Sequence, residues 1–302
     1  MRKIDHTFKI SDLDKRASKK LSIEEVFKYG KNYDSAINFL KKQIFLPYQN
    51  IENLISFQKN EKYPIGYMML NRNNAVVGFV GTWFSERKIK DYASVFCNIH
   101  SWIVQQEYRL YSFYLISLLN KKNINLTAFT PVESLKGLLL KFGFGKKEIF
   151  YKIILNIKLF KSSKKNYEII KDKDDIEKRL DKINLDIYNF YSNKIYKNFL
   201  IKNTKEKKDI FVVGCLLRKK GLKIFNFFYV SDKDYFRKNW DIIANIVSNE
   251  LNVYFFSEYV LKDNQNIFPD KIFLSKIKKK EIYVKSKNEI CNLDLLNSDL
   301  VI

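Results

Sequence analysis

"IHSWIVQQEYRLYSFYLISLL", residues 99–119, holds two periodicities joined at one point. Ile99 to Val104 reads as a strand, and Ser112 to Leu119 carries apolar residues at helical spacing. Between them lies a short polar turn, Gln105 to Tyr111, carrying Arg109. A helix entered directly from a strand presents backbone N–H groups with no intrahelical partner, and its dipole adds roughly half a positive charge at that end. A pyrophosphate suits such an end, and Arg109 adds a fixed positive charge beside it.

Working upstream, "IGYMMLN", "RNN" and "AVVGFVGTWFSE" read as strand, turn and strand, with Asn at the tight positions. Gly78 and Gly81 inside the second strand mark a bulge or a surface approached closely by a ligand. A third strand is expected over about Ala93–Val104. Downstream come a strand, "INLTAFT", and a helix from Pro131 to about Phe142, stopped by Gly143. The strand "EIFYKIILNI" follows. The strand–helix–strand step from Val95 to Thr130 implies a parallel, right-handed crossover, so the sheet is mixed. Before the hairpin, "SIEEVFKYGKNYDSAINFLKKQIF" is expected to form two helical pieces broken at Gly30, and "NIENLISFQKN" another short helix.

"KSSKKN", Lys161 to Asn166, is polar, basic and aperiodic, and marks a linker. After it, Tyr167 to Leu200 is expected to be mostly helical. "DIFVVGCLL", "RKKG" and "LKIFNFFYV" read as a second hairpin. Ser231 is expected to cap a helix running to about Asn249, and "NVYFFSE" follows as a strand. Hairpin, helix, strand thus occurs twice, as in a divergent internal copy. The basic run "SKIKKK", Ser275 to Lys280, reads as a solvated surface; Glu258, Asp294 and Asp299 have no assignable partners.

Composition narrows the function. The formal net charge is +22, from 55 basic and 33 acidic residues, which favours anionic partners: nucleic acid, a phosphorylated cofactor or an anionic membrane surface. The lysines are spread along the chain, as an AT-rich coding sequence would leave them. Cys97, Cys215 and Cys291 form no Cys-x-x-Cys pair, which argues against a disulfide framework or structural zinc. His6 and His100 are the only histidines, so a His-rich metal centre is excluded. The charged start, "MRKIDHTFKISDLDKRASKK", has no apolar signal core, and no run approaches a membrane span, so a cytoplasmic protein is expected.

"VQQEYRLYSFYLISLL" resembles the acyl-CoA-binding segment of the GNAT acetyltransferase family, with Val104, Glu107, Tyr108, Arg109 and Leu118 in matching places. "LKGLLLKFGFGKKE" resembles the family's helix ending in a Gly-Phe pair, here Gly143 and Phe144, and "AVVGFVGTWF" resembles its preceding hairpin strand. The three landmarks stand in order within about Ile65 to Ile157. The resemblance implies an α+β (α/β) fold: a mixed sheet flanked by helices, with two parallel strands splayed around a pantetheine arm. With the internal copy it implies two tandem GNAT-like domains, residues 1–160 as the acyltransferase and 161–302 as a degenerate second domain.

The implied activity is transfer of an acetyl or other acyl group from acetyl-CoA or another acyl-CoA to an amine or hydroxyl of a small acceptor, an amino sugar being one example, with no metal. Val104, Arg109, Leu110, Tyr111, Ser112, Thr130 and Ser134 are the implied cofactor-binding residues. Ser112 and Tyr114 stand where the family has small residues, and Leu139 where many members have a Tyr near the leaving thiolate. No carboxylate lies between Ala93 and Gln106, which leaves His100 as the candidate general base, since imidazole has an intrinsic pKa near 6.5. Strand alternation puts Asn98 and Trp102 on the His100 face, as candidate substrate-binding residues. Two other functions compete: a Fem-type transferase using aminoacyl-tRNA, which the charge would suit, and a non-catalytic basic nucleic-acid-binding protein, which would need exposed aromatics on a basic face.

Overall fold

The computed structural model describes residues 8–9, 21–43, 61–89, 92–121, 124–155, 166–192, 196–219, 221–261, 268 and 275–286. Thirteen strands form one continuous mixed sheet in the order β1-β2-β3-β4-β5-β6-β13-β7-β12-β11-β10-β9-β8. In the first half, β1 (Phe8–Lys9), β2 (Ser22–Val26), β3 (Gly66–Leu70), β4 (Val76–Ile89) and β5 (Tyr92–Val104) run antiparallel, and β6 (Asn125–Ala128) lies parallel to β5. In the second, β8 (Tyr167–Ile170), β9 (Tyr196–Asn203), β10 (Lys208–Lys219) and β11 (Leu222–Val230) run antiparallel, and β12 (Phe255–Leu261) lies parallel to β11.

Each half is completed by the closing strand of the other. Strand β7 (Gly145–Leu155) pairs with β12, and β13 (Ser275–Lys285) pairs with β6; β7 and β13 pair with each other at the centre. The run "SKIKKK" is part of a central strand. Its continuation explains this, because Ile282, Tyr283 and Val284 are buried.

Seven helices flank the sheet: α1 (Tyr33–Gln43), α2 (Phe113–Lys121), α3 (Glu133–Lys141), α4 (Lys173–Arg179), α5 (Lys182–Phe190), α6 (Lys233–Lys238) and α7 (Trp240–Leu251), among the described residues. On one face α2 and α3 cover the first half, burying Leu115, Ile116, Leu119 and Leu139 against Cys97, Ile99 and Leu126. On the same face of the second half, α6 and α7 pack Phe236, Trp240 and Ile243 on Phe225, Phe227 and Phe256. The opposite face carries α1 in the first half and α4 and α5 in the second. Trp83 of β4 belongs to the same buried cluster as Tyr188, Tyr191 and Phe211, so the sheet curls until the halves touch on that face.

Local chemistry sets the element ends. The β3–β4 turn is closed by Asn71, whose Oδ1 accepts from Asn73 N and Ala75 N at 3.0 Å, and by Asn74 at φ +57°. Gly143, at φ +81°, ends α3 as expected, while Pro131 precedes the helix instead of opening it. Three expectations are corrected. "SIEEV" is strand β2, paired with β3, and only Tyr33–Gln43 is helical. Tyr167–Leu200 contains strand β8 and the start of β9 besides α4 and α5; edge pairing captured short segments whose local period was ambiguous. Asp232, not Ser231, caps α6, its Oδ1 accepting from Tyr235 N at 2.8 Å; Ser231 Oγ instead accepts from Phe211 N at 2.9 Å. The expected helix "NIENLISFQKN", most of the linker, Cys291, Asp294 and Asp299 lie outside the described residues.

Candidate active site

The parallel pairing of β5 and β6 is short. It runs from Phe96 opposite Asn125 to Asn98 opposite Thr127 and then stops. Strand β5 continues to Val104, whereas β6 ends at Ala128. From Ile99 onward the β6-side edge of β5 has no strand partner among the described residues, an open edge of roughly 20 Å at about 3.3 Å per residue. At its far end the chain winds into a 3-10 segment, Gln106–Tyr111, and α2 begins at Phe113. The helix thus starts one residue after Ser112, and the expected polar turn is itself wound up: Tyr108 N donates to Gln105 O at 2.9 Å and Ser112 N to Arg109 O at 3.1 Å.

The residues read from the sequence as cofactor-binding fall in two groups, Arg109, Leu110 and Tyr111 in the turn at the far end of β5 and Thr130 and Ser134 after the end of β6. Arg109 is exposed and has no ion-pair partner among the described residues. Leu110 is 85% exposed beside it. Tyr111 is half-buried and stacked near Tyr114, 6.3 Å between ring centroids. Tyr114, the bulky residue at a position expected to be small, is turned into the core and leaves the turn clear. Val104 packs on the α2 side, with its Cγ2 beside Gly78. Thr130 and Ser134 are exposed at the end of β6 and on α3; Thr130 lines an open cleft of about 630 Å3 with Phe129, Pro131, Lys136, Lys280 and Glu281. Leu139, at the position of the missing Tyr, is buried in the core.

Strand β5 carries a bulge that the alternation rule did not foresee. Phe79 pairs with Ile103 and Gly81 with His100, so Val80 alone faces Ser101 and Trp102. Ser101 adopts φ +45°, a left-handed conformation costly for a residue with a β-carbon. The extra residue reverses the facing. Asn98 and His100 share one face, but Trp102 joins Cys97, Ile99 and Val104 on the α2 face. The expectation that Trp102 lies with Asn98 and His100 is thus corrected. The indole Nε1 is buried with no hydrogen-bond partner among the described residues.

His100 is 6% exposed. Its ring lies against Trp83, 4.7 Å between centroids, and its Nδ1 is 3.1 Å from Ser101 Oγ. Nε2 is buried without a hydrogen-bond partner among the described residues. Gly81 is required beneath it, since a β-carbon there would stand 2.5 Å from Nδ1 and 2.7 Å from Nε2. The close approach signalled by Gly81 is therefore made by the chain's own imidazole and not by a ligand. Burial drives the His100 pKa down to about 3. The ring is neutral at working pH but a weak base, which corrects the expectation of a base titrating near 6.5. Asn98 is buried beside Thr127, whose Oγ1 lies 3.4 Å from Asn98 Oδ1.

The second half repeats this arrangement with altered chemistry. Asn226 and Ser257 face each other across the parallel pair β11–β12 as Asn98 and Thr127 do across β5–β6, with Ser257 Oγ donating to Asn226 Oδ1 at 2.8 Å. A bulge again follows, at Phe228, between the pairs Gly214–Phe227 and Val213–Tyr229. At the helix start, however, stands Asp232. Lys208, 2.7 Å away, and the backbone N–H of Tyr235 hold its carboxyl below the usual carboxylate range. Where Ala128 ends β6, the matching place at the end of the β12 pairing holds the buried Glu258.

Among the described residues no cluster of three or more His, Cys, Asp or Glu is placed to hold a metal, and no helix is long and apolar enough to cross a membrane. The longest helices there, α7 and α1, have 12 and 11 residues, and none forms an extended arm. No protein-family model and no curated protein matches this sequence. Solved structures do match it in shape. A GCN5-related N-acetyltransferase from Anabaena variabilis ATCC 29413 aligns with TM-score 0.59 at 10% identity, covering 88% of this chain and 73% of that one. One from Kribbella flavida aligns with TM-score 0.57 at 11% identity, covering 88% and 71%. A probable N-acyltransferase of unknown function from Enterococcus faecalis V583 aligns with TM-score 0.56 at 11% identity, covering 89% and 72%. A mixed sheet splayed after Asn98, a turn leading into α2 at its open end, and these likenesses agree: this chain has the fold of the GCN5-related N-acetyltransferases, the GNAT fold.

Proposed function

We propose that the chain is an acyl-CoA-dependent acyltransferase acting on a small acceptor, with the donor held in the gap between β5 and β6. The observation that carries this reading is the β5 edge from Ile99 to Val104, open among the described residues and ending at the exposed Arg109, which has no ion-pair partner among them. Arg109, with Ser112 and the N–H groups that open α2, meets the pyrophosphate; Leu110 and Tyr111 flank it. Val104, Thr130 and Ser134 line the pantetheine arm. Free backbone N–H groups of β5 polarise the thioester carbonyl, where negative charge develops as the acceptor attacks. His100 braces the bulge from the opposite face, and the acceptor's proton leaves to water.

We further propose that residues 1–160 supply the donor site, in a sheet closed by β13, and that residues 161–302 otherwise form a unit that has lost its donor site. Asp232 supports this, because its own carboxylate fills the helix end an incoming phosphate would need.

Thermal unfolding with CoA and acetyl-CoA tests the donor reading. A ligand at about 100 times its dissociation constant adds roughly 2.7 kcal/mol to stability. The expected result is a clear rise in Tm, reduced in Arg109→Ala while the ligand-free Tm stays near that of the wild type. No shift at millimolar CoA refutes the reading.

A further inference from the structure

Strand β13 carries a second open edge, on the far side of β6 from β5. Tyr283, Val284 and Lys285 pair with Ala128, Thr127 and Leu126, whereas from Ser275 to Ile282 β13 pairs with β7 alone among the described residues. Asn98, Thr127 and Val284 stand in one row across β5, β6 and β13, so the outer two strands are about 10 Å apart there, two strand spacings. Just beyond this row β6 stops at Ala128. Pro131 follows, with no N–H to give a ladder, and the chain turns away into α3. No described strand takes the position between β5 and β13 past that point. The cleft of about 630 Å3, lined by Phe129, Thr130, Pro131 and Lys136 and by Lys280 and Glu281 of β13, opens there.

An unpaired strand edge presents N–H and C=O groups at the spacing of another peptide chain, and strand addition completes it. A second copy of this chain suits it poorly. The edge begins "SKIKKK", so pairing two such edges would set lysine against lysine, a common guard against edge-to-edge association. Lys136 is paired with Glu133 and Glu281, and Lys146 with Glu281, so main-chain hydrogen bonding and not charge selects the occupant.

We propose that the β13 edge from Ser275 to Ile282 is a strand-addition site for an extended peptide. The peptide continues the direction of β6 and so runs antiparallel to β13. Its amino terminus then lies beside Ile282, one step past the pair Ala128–Tyr283, at the foot of the gap. There it can attack a donor thioester: the amide N–C bond forms, the acyl C–S bond breaks, and CoA leaves as the thiol with the amine's proton. That acceptor role rests on the acyltransferase reading; the peptide site does not.

Hydrogen exchange read by mass spectrometry on the full chain, without a donor, tests it with tetraalaninamide at millimolar concentration. In the free chain the gap-facing amides of residues 275–282 should exchange readily. The peptide should slow them about tenfold or more and leave the outer strand β8, Tyr167–Ile170, unchanged. Alaninamide, too short to span two ladder positions, should give no protection. N-methylation of the second and third alanines, which removes donors from both edges of the peptide, should abolish it. No slowing in 275–282, slowing that survives N-methylation, equal slowing at β8, or a segment already protected throughout in the free chain, as when the chain's own residues cover the edge, overturns the proposal. The CoA thermal shift is read in parallel. Protection without a shift sinks the donor reading and the acceptor role but leaves the peptide site, and a shift without protection sinks the peptide site alone.

Discussion

Lowering the pH from 7.5 to 5.0 should destabilise this protein through His100, and by an amount the structure sets. The buried ring, packed between Gly81 and Trp83, has its pKa driven from 6.5 down to about 3 by loss of solvation. In the unfolded chain the imidazole titrates normally, so below pH 6.5 the unfolded state takes up a proton that the folded state refuses. The contribution is complete above pH 6.5 and is lost as pH falls towards 3. At about 1.36 kcal/mol per unit, the loss is about 2 kcal/mol at pH 5 and approaches about 5 kcal/mol near pH 3. Urea unfolding of the wild type and of His100→Gln at both pH values isolates this term, because carboxylates and His6 titrate alike in the two proteins. The wild type should lose about 2 kcal/mol more than the variant between pH 7.5 and 5.0. An equal loss in both would show that His100 is not held neutral by burial, and would restore it as a candidate base. The same argument makes any activity profile between pH 5.5 and 8 insensitive to His100.

Three further outcomes are expected. Gly81→Ala should cost about 2 kcal/mol by overpacking the imidazole, and His100→Ala in the same chain should recover part of that loss; simple additivity in the double variant would contradict the contact. Asp232→Ala should cost about 1 kcal/mol through the lost α6 cap, read from the urea midpoint, whereas Ser231→Ala should leave the cap untouched. A chain ending at residue 274 lacks β13 and leaves β6 and β7 without their shared partner, so it should show no cooperative unfolding transition by circular dichroism; a sharp transition near that of the full chain would refute the exchange of closing strands.

Features decided within a few residues were legible in the sequence. Asn71 and Asn74 shape the β3–β4 turn, Gly143 ends α3 through a left-handed backbone, and the stretch from Val104 to Ser112 passes from strand to helix with Arg109 exposed between them. Each follows from backbone sterics and local hydrogen bonding, which a short window contains. What lay beyond reach depended on partners distant in the chain. One extra residue at Ser101 reversed the facing of Trp102, because alternation holds only while the register is unbroken, and the register is set by β4. His100 has the composition of a base but the surroundings of a core residue; the β4–β5 register sets Trp83 against it, and only the curl of the sheet brings Tyr188, Tyr191 and Phe211 into the same cluster as Trp83. Glu281 stood hidden at the end of a basic run, and only the pairing of β13 between β6 and β7 sets its carboxylate in a cleft with Thr130. Strand pairing joins segments more than a hundred residues apart, and burial sets both the facing and the charge state of a side chain. A local pattern carries neither.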